Sequence, residues 1–513
     1  MPVLDDAPTP TEPQAPAVGG PGGAAEHVDV AVVGTGFAGI AMGAALRRAG
    51  LRDFAILERA DEVGGAWRDN SYPGCACDVP SHLYSLSFAP NPDWSATFSG
   101  QAEIHAYLRG VAEDHDLIRH VRFRSELQDA TWDEPAGRWR LTTSGGRLTA
   151  RVLISAQGGL SDPAIPDLPG LERFAGTTFH SATWDHDHDL AGERVAVIGT
   201  GASAIQFVPQ IQPRVARLTL FQRTPPWIMP RNSRPVTGPE HAIYRRVPAA
   251  QRLMRDGIYW AREAFALPML RVRLTPVVER LARRHLARQV PDPVLRAKLT
   301  PDYRPGCKRI LVSNDYLPAL GRPNVDVVDT GIREIREHSI VGADGVEHEV
   351  DTIIFGTGFR VTEPPIAERV HGRAGRTLSE QWDGSPTGHR NTTVEGFPNL
   401  FLLGGPGTGI GHTSQVFMIE AQVAYVGRAL EHMRRTGAVS VEPRHDAQAR
   451  WVDDSQRKMK GTVWLEGGCS SWYLDRQGRN TTLWPDFTFR FRRELSSFDA
   501  TEYVVRTGVP AVA

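Results

Sequence analysis

The sequence predicts an α/β fold of two domains, each built on a strand, a glycine turn and a helix, with a small helical insertion in the second. Three observations predict it. The segments 28–50 and 192–211 each read as a buried apolar strand, a glycine turn and a helix. Between Pro235 and Pro301 the pattern changes to Arg, Ala and Leu at helical spacing, as in AAQRLMRDGIYWAREAF and PVVERLARRHLARQV.

The chain has 513 residues, room for two or three cooperating domains. Charged residues make up 23% and hydrophobic ones 41%, as in a water-soluble globular protein. A formal net charge of -1 gives no electrostatic reason to expect nucleic acid or an anionic membrane as partner. No stretch reaches about 18 apolar residues, so no membrane span is expected. The four cysteines, Cys75, Cys77, Cys307 and Cys469, show neither a disulfide framework nor a zinc spacing. Cys75-x-Cys77 stays open as a redox pair or weak ligand, but the simpler expectation is no metal and a reducing, cytoplasmic setting. Residues 1–27, rich in Pro, Ala, Gly and acids, have no basic start and no apolar run. They read as a disordered leader and not a signal peptide.

The first glycine turn is Gly34-Thr35-Gly36-Phe37-Ala38-Gly39. Gly34 permits the sharp turn, Gly36 lets backbone approach a pyrophosphate, and Gly39 lets helix and strand pack closely. The helix N-terminus, at Phe37, then faces the phosphates. The next strand, DFAILERA, ends near Glu58, 22 residues after Gly36, the place for a carboxylate that accepts ribose hydroxyls. Gly64-Gly65-Ala66-Trp67 follows, with Gly65 open to a cofactor and Trp67 set to cover a flavin edge. The run FLLGGPGTGIGHTSQVFMIEAQ repeats the strand-to-helix logic near residue 401, with a helix starting near Thr413. Its positive end suits a reduced flavin ring.

The second turn is Gly199-Thr200-Gly201-Ala202-Ser203-Ala204, the GxGxxA form. Arg223 lies 22 residues after Gly201, the offset that separates Glu58 from Gly36. A guanidinium there, with the hydroxyl of Thr224, suits a 2′-phosphate and argues for NADPH over NADH. Two Rossmann-like dinucleotide sites with opposite charges point to electron transfer from NADPH to FAD. The expected organisation is an FAD domain over 28–160 and 390–513, and an NADPH domain over 161–389. The latter includes the helical insertion at about 235–300, whose arginines read chiefly as a solvated face. A disulfide reductase is excluded, because it needs CxxC or CxxxxC beside the flavin.

Residues 174–185 read FAGTTFHSATWD. With Phe174, Gly176, His180, Trp184 and Asp185, this resembles the fingerprint of the type I Baeyer–Villiger monooxygenases, and the resemblance runs from about residue 28 to about 490. The related amine and sulfide monooxygenases usually carry Phe or Tyr at the Trp184 position, and an enzyme of that kind remains the alternative. The resemblance implies that His180 and Trp184 couple the two domains. SYPGCACDVPSHLYSLSF resembles the segment whose Asp lies near the flavin, here Asp78. PGCKRILVSNDYLPALGRPNV resembles the segment carrying the catalytic Arg, here Arg309, with Lys308 on the 2′-phosphate.

In such an enzyme NADPH reduces FAD, O₂ forms a flavin peroxide, and a fixed guanidinium stabilises it and the tetrahedral adduct with a ketone. Oxygen then enters next to the carbonyl to give an ester or lactone. The Trp-rich stretch 460–485 resembles an active-site loop of one branch. Trp472 would come near the nucleotide or substrate on closure, or the loop merely covers the FAD domain. Tyr473 is a further pocket candidate. Which ketone is used, and whether the protein is a monomer or a homodimer, is not written in the sequence.

Overall fold

The computed structural model describes residues 26–361 and 366–508. The expected leader lies outside them except for Glu26 and His27, which already belong to the first strand.

Two sheets organise the molecule, as expected. The first runs in the order Val370–His371, Leu127–Asp133, Arg138–Thr143, Gly146–Ser155, Glu26–Val33, Phe54–Leu57, Val121–Arg122. Its long strand, Gly146–Ser155, changes partner along its length. The early part pairs antiparallel with Arg138–Thr143, Trp139 opposite Ala150. The late part takes Leu400–Leu402 in parallel, Leu400 opposite Leu153. The chain therefore leaves this sheet and returns to it. The return begins before residue 390, because Val370–His371 pairs with Leu127–Asp133 and Leu378 and Trp382 join the core under that edge. The expected boundary at 390 is corrected accordingly. The segment around 370 is too short and too polar to read as a strand from periodicity.

The second sheet is all parallel, ordered Val325–Val328, Arg217–Phe221, Arg194–Ile198, Thr352–Phe355, Thr177–His180. Its middle strands are covered on both faces, so Val195, Val197, Leu218, Leu220, Ile353 and Ile354 are buried on them together with Ala196 and Thr219. Each sheet sets its glycine turn against the chain leaving a neighbouring strand. Gly34 (φ +104°) packs so closely that an added Cβ would stand 3.0 Å from the carbonyl oxygen of Ala156. At Gly199 (φ +108°) the same atom would stand 2.4 Å from the oxygen of Gly356. Only glycine meets both the dihedral and the contact.

The insertion consists of helices Gly238–Arg246, Pro248–Ala264, Leu267–Leu270, Thr275–Gln289 and Pro293–Lys298. It bridges the two units. Tyr259 enters the core of the first sheet, whereas Leu286, Val290 and Leu299 enter that of the second. Helix Pro248–Ala264 is turned against its polarity: Leu253 and Trp260 are exposed, while Gln251, Tyr259 and Glu263 are buried. Arg255 from the same face donates to the carbonyls of His82 and Ser85, both at 2.9 Å. The expected solvated arginine face holds for Arg252, Arg280, Arg284 and Arg288, which are exposed, but not for Arg255, whose guanidinium satisfies loop carbonyls that helix and sheet leave unpaired. Among the described residues no helix is long and apolar enough to cross a membrane.

Candidate active site

The first glycine turn meets the backbone of the Gly64-Gly65 turn. A Cβ on Gly65 (φ +54°) would stand 3.0 Å from Gly36 Cα, so two bare backbones meet at the start of helix Phe37–Arg48. That cradle fits a pyrophosphate. Glu58 is buried at the end of its strand, and its carboxylate accepts from Thr35 N at 3.1 Å and Ala60 N at 3.0 Å. Thr35 Oγ1 also donates to it. Arg68, a residue that sequence reasoning missed, pairs with it at 3.1 Å. Trp67 packs edge-on to Tyr84, its indole N–H donating to the Tyr84 hydroxyl at 3.0 Å. Near the other end of the chain, Ser414 caps helix Gln415–Thr436. Just before it, both ring nitrogens of His412 and the hydroxyl of Thr413 are buried without hydrogen-bond partners. Unpaired polar atoms at a helix N-terminus fit a polar ring such as a flavin edge.

At the second turn, Thr200 Oγ1 donates to the carbonyl of Thr224 at 3.2 Å, which draws the end of strand Arg217–Phe221 alongside Gly199–Gly201. Ser203 stands at the start of helix Ala204–Ile211. Arg223 is exposed and Lys308 half-buried. They lie close enough that burial and then the Arg223 guanidinium pull the Lys308 ammonium below the usual lysine range. Among the described residues no carboxylate forms an ion pair with either. Two converging cations that form no ion pair with a carboxylate among the described residues fit a phosphate.

The two units meet at Gln206. Its Oε1 accepts from the Tyr72 hydroxyl at 2.9 Å and from Ala76 N at 3.2 Å, and its Nε2 donates to the Ala76 carbonyl at 2.9 Å. Trp184 packs in the same junction, 5.3 Å from the ring of Phe207 and 5.1 Å from that of Phe179. His180 Nδ1 accepts from Ala182 N at 3.1 Å, so the proton of the neutral ring sits on buried Nε2, towards the Gly358 backbone.

Asp78 and Arg309 close the centre. Arg309 Nε donates to Asp78 Oδ2 at 3.0 Å, and Nη2 to Oδ1 and Oδ2 at 2.9 and 2.7 Å, a forked pair. Arg309 keeps 41% of its side chain accessible, so it faces an open cleft. Burial works against the Asp78 charge, but the Arg309 guanidinium prevails and holds the carboxyl below its ordinary range. In return Asp78 holds Arg309 charged. Two further guanidiniums were not anticipated. Arg262 Nη2 donates to the Asp78 carbonyl at 3.4 Å, and Arg231 Nη2 to the Cys77 carbonyl at 3.1 Å. One carboxylate against three guanidiniums leaves the centre positive. Tyr473 is buried beside Arg309, whereas Trp472 is 53% exposed and touches Tyr473 edge-on. Cys75 and Cys77 are unbonded, and burial pushes the Cys75 thiol up to about 11, so neither is a ready thiolate.

The flavin-binding monooxygenase-like family matches residues 27–378. A Baeyer–Villiger monooxygenase of Streptomyces coelicolor is 54% identical over 95% of this chain and 94% of its own. One of Pseudomonas aeruginosa is 50% identical over 94% and 92%. The chain belongs to the type I Baeyer–Villiger monooxygenase family. The closed crystal structure of cyclohexanone monooxygenase superposes with a TM-score of 0.85 at 28% identity, covering 94% of this chain and all of that one. A steroid monooxygenase bound to NADP gives 0.83 at 30% identity with the same coverage. This Baeyer–Villiger monooxygenase uses FAD and NADPH, reacts with O₂ and oxidises ketones.

One expectation fails within the site. Cys307 and Cys469 form a disulfide, with Cα atoms 6.1 Å apart and a sequence separation of 162. It ties the loop carrying Tyr473 to the segment two residues before Arg309. Their spacing in sequence carries no signal, because the loop folds back over that segment only in three dimensions. Arg262 was missed because its helix was read by composition. The polar stripe Gln251, Arg255, Tyr259, Arg262, Glu263 opposite Leu253 and Trp260 was the available clue.

Proposed function

We propose that Arg309, held by Asp78, is the group that stabilises negative charge as oxygen is inserted beside a ketone carbonyl. The observation that carries this reading is the forked Asp78–Arg309 pair at an open, net positive cleft. FAD, when bound, would supply the acceptor for the NADPH hydride and the means of activating O₂; the protein supplies position and charge. Gly34, Gly36, Phe37, Gly39 and Gly65 form the cradle for its pyrophosphate, Glu58 takes its ribose hydroxyls, and Trp67 and Asp78 border its ring. Gly199, Gly201 and Ser203 hold the NADPH pyrophosphate, and Arg223, Thr224 and Lys308 its 2′-phosphate. Arg309 meets the charge that develops on the ketone oxygen, and Asp78 fixes the guanidinium plane so that no reorganisation is needed at that moment. Tyr473 bounds the cleft and keeps water from it. Trp472 joins as the loop closes. His180 and Trp184 couple the movement of the two units. We place the reaction in the cytoplasm, where NADPH is supplied.

The test supplies NADPH, O₂ and a panel of cyclic, aryl and long-chain ketones, with esters and lactones read by mass spectrometry. Arg309→Ala should still be reduced by NADPH but form no ester. Ester formation by that variant at the wild-type rate would sink the assignment.

A further inference from the structure

Ketone oxidation has a proton balance: ketone, O₂, NADPH and one proton give ester or lactone, NADP⁺ and water. Each turnover therefore takes up a proton at the cleft, which opens to solvent at Arg309. The pair facing the cleft has none to give. Arg309 stays charged against Asp78, and Asp78 stays ionised against Arg309.

A second polar cluster lies behind them. Glu263, next to Arg262 in the last turn of helix Pro248–Ala264, is 2% exposed. Its oxygens accept from Thr488 N at 3.2 and 3.3 Å, and from the Thr488 hydroxyl. That hydroxyl meets Tyr259 OH at 3.1 Å. Among the described residues no Arg or Lys forms an ion pair with Glu263. The basic group against it is His412, whose Nε2 stands 3.5 Å from Glu263 Oε1. His412 is itself buried, and neither of its ring nitrogens makes a hydrogen bond. A lone carboxylate in such a place costs several kcal/mol, and His412 is the basic side chain placed to offset it. Around them stand Tyr259 and Arg262 from the same helix, and Arg492, which lies over the Phe417 ring that stacks on Tyr259. Burial raises Tyr259, which keeps its proton.

The cluster borders the cleft on two sides. Arg262 reaches the Asp78 carbonyl. Met269 links the turn carrying His412 to the Arg309 segment: its Sδ is 3.1 Å from where a Cβ on Gly411 would stand, and its Cγ 3.4 Å from that point on Gly306. We propose that the Glu263–His412 pair stores the proton that ketone oxidation takes up and releases it to the cleft that Arg262 and Met269 border. The proton leaves in the product water, and the pair is recharged from solvent before the next turnover. This rests on the oxidation site proposed at Asp78 and Arg309.

The experiment uses the holoenzyme, its His412→Asn and Glu263→Gln variants, and ¹⁵N-histidine labelling. In Glu263→Gln, reduction by NADPH without O₂ should stay within about twofold, because it needs no such proton; in His412→Asn, whose ring borders the flavin site, the reduction rate is the reference against which recovery is compared. Recovery of oxidised flavin absorbance after mixing with O₂ and ketone should slow by about a hundredfold in His412→Asn. The slowing of recovery by D₂O seen in wild type should be lost with it. In the resting enzyme, the ¹⁵N ring signals should show His412 sharing a proton, and Glu263→Gln should change them. Glu263→Gln keeps the Thr488 contacts, so it and the resonances decide the matter if His412→Asn loses FAD. Wild-type recovery in either variant, or resonances unmoved by Glu263→Gln, overturns the proposal. These readings are taken with Arg309 intact, so they fail separately from the Arg309→Ala test of ester formation.

Discussion

Lys308 and Arg223 are brought together beside the second glycine turn although both are cations, and among the described residues neither forms an ion pair with a carboxylate. Like charges gathered at a cost are kept for a ligand of opposite charge. Arg223→Ala should raise KM for NADPH by about tenfold to a hundredfold, from the loss of about 1.5–3 kcal/mol in charge-assisted hydrogen bonding. KM for NADH should barely change.

The same contact predicts a pH dependence. The folded-state pKa of Lys308 is lowered, so its charge is lost as pH rises at values below the ordinary lysine range of about 10.4. NADPH affinity should therefore be greatest at lower pH and fall on the alkaline side. Removing Arg223 removes one cause of the lowering, so in Arg223→Ala the break should move to higher pH. A plot of log KM against pH that breaks at the same place in both proteins would refute the coupling.

Asp78 has the opposite sign. Its folded-state pKa is lowered, so the stability it contributes is present above the ordinary aspartate value of about 3.9 and lost as pH falls below it. Ester formation should show no loss from Asp78 between pH 6 and 8. Asp78→Ala should lower kcat by about a hundredfold or more, because Arg309 loses its anchor. Flavin reduction rates measured alongside separate this from loss of cofactor.

The Cys307–Cys469 bond fixes the Tyr473 loop over the Arg309 segment. Dithiothreitol, or Cys469→Ser, should destabilise the protein by about 2–4 kcal/mol, seen as a lower Tm. It should also raise the peroxide released per NADPH consumed. An unchanged Tm would mean that the loop is held by packing alone.

Gln206 joins the two units through three hydrogen bonds. Gln206→Ala leaves buried partners unpaired and should cost about 1–3 kcal/mol. Because the clamp sits beside Trp184, ester yield per NADPH should fall more than the reduction rate does, which product analysis and stopped-flow absorbance can compare.

The glycine turns were legible because their chemistry is local: a strand, a left-handed glycine, a helix and a charged residue one strand later. Glu58 and Arg223 follow from that geometry. Arg309 and Asp78, far apart in sequence, were legible only through the resemblance of their segments to a known family. Arg262, Glu263 and His412 were not singled out, because each acts across a packing contact that no spacing encodes. The pairing of Cys307 with Cys469 and the early return at Val370 were hidden for the same reason.

The divided partnership of Gly146–Ser155 has a consequence for biosynthesis. Its late half lacks one neighbour until Leu400–Leu402 leaves the ribosome, whereas every strand of the second sheet, through Phe355, has by then been made. The portion synthesised first is thus completed last, and it waits with an open strand edge exposed to other nascent chains. Truncated products ending before residue 400 should aggregate for this reason, and full-length chains should acquire FAD only after release of the C-terminal fifth.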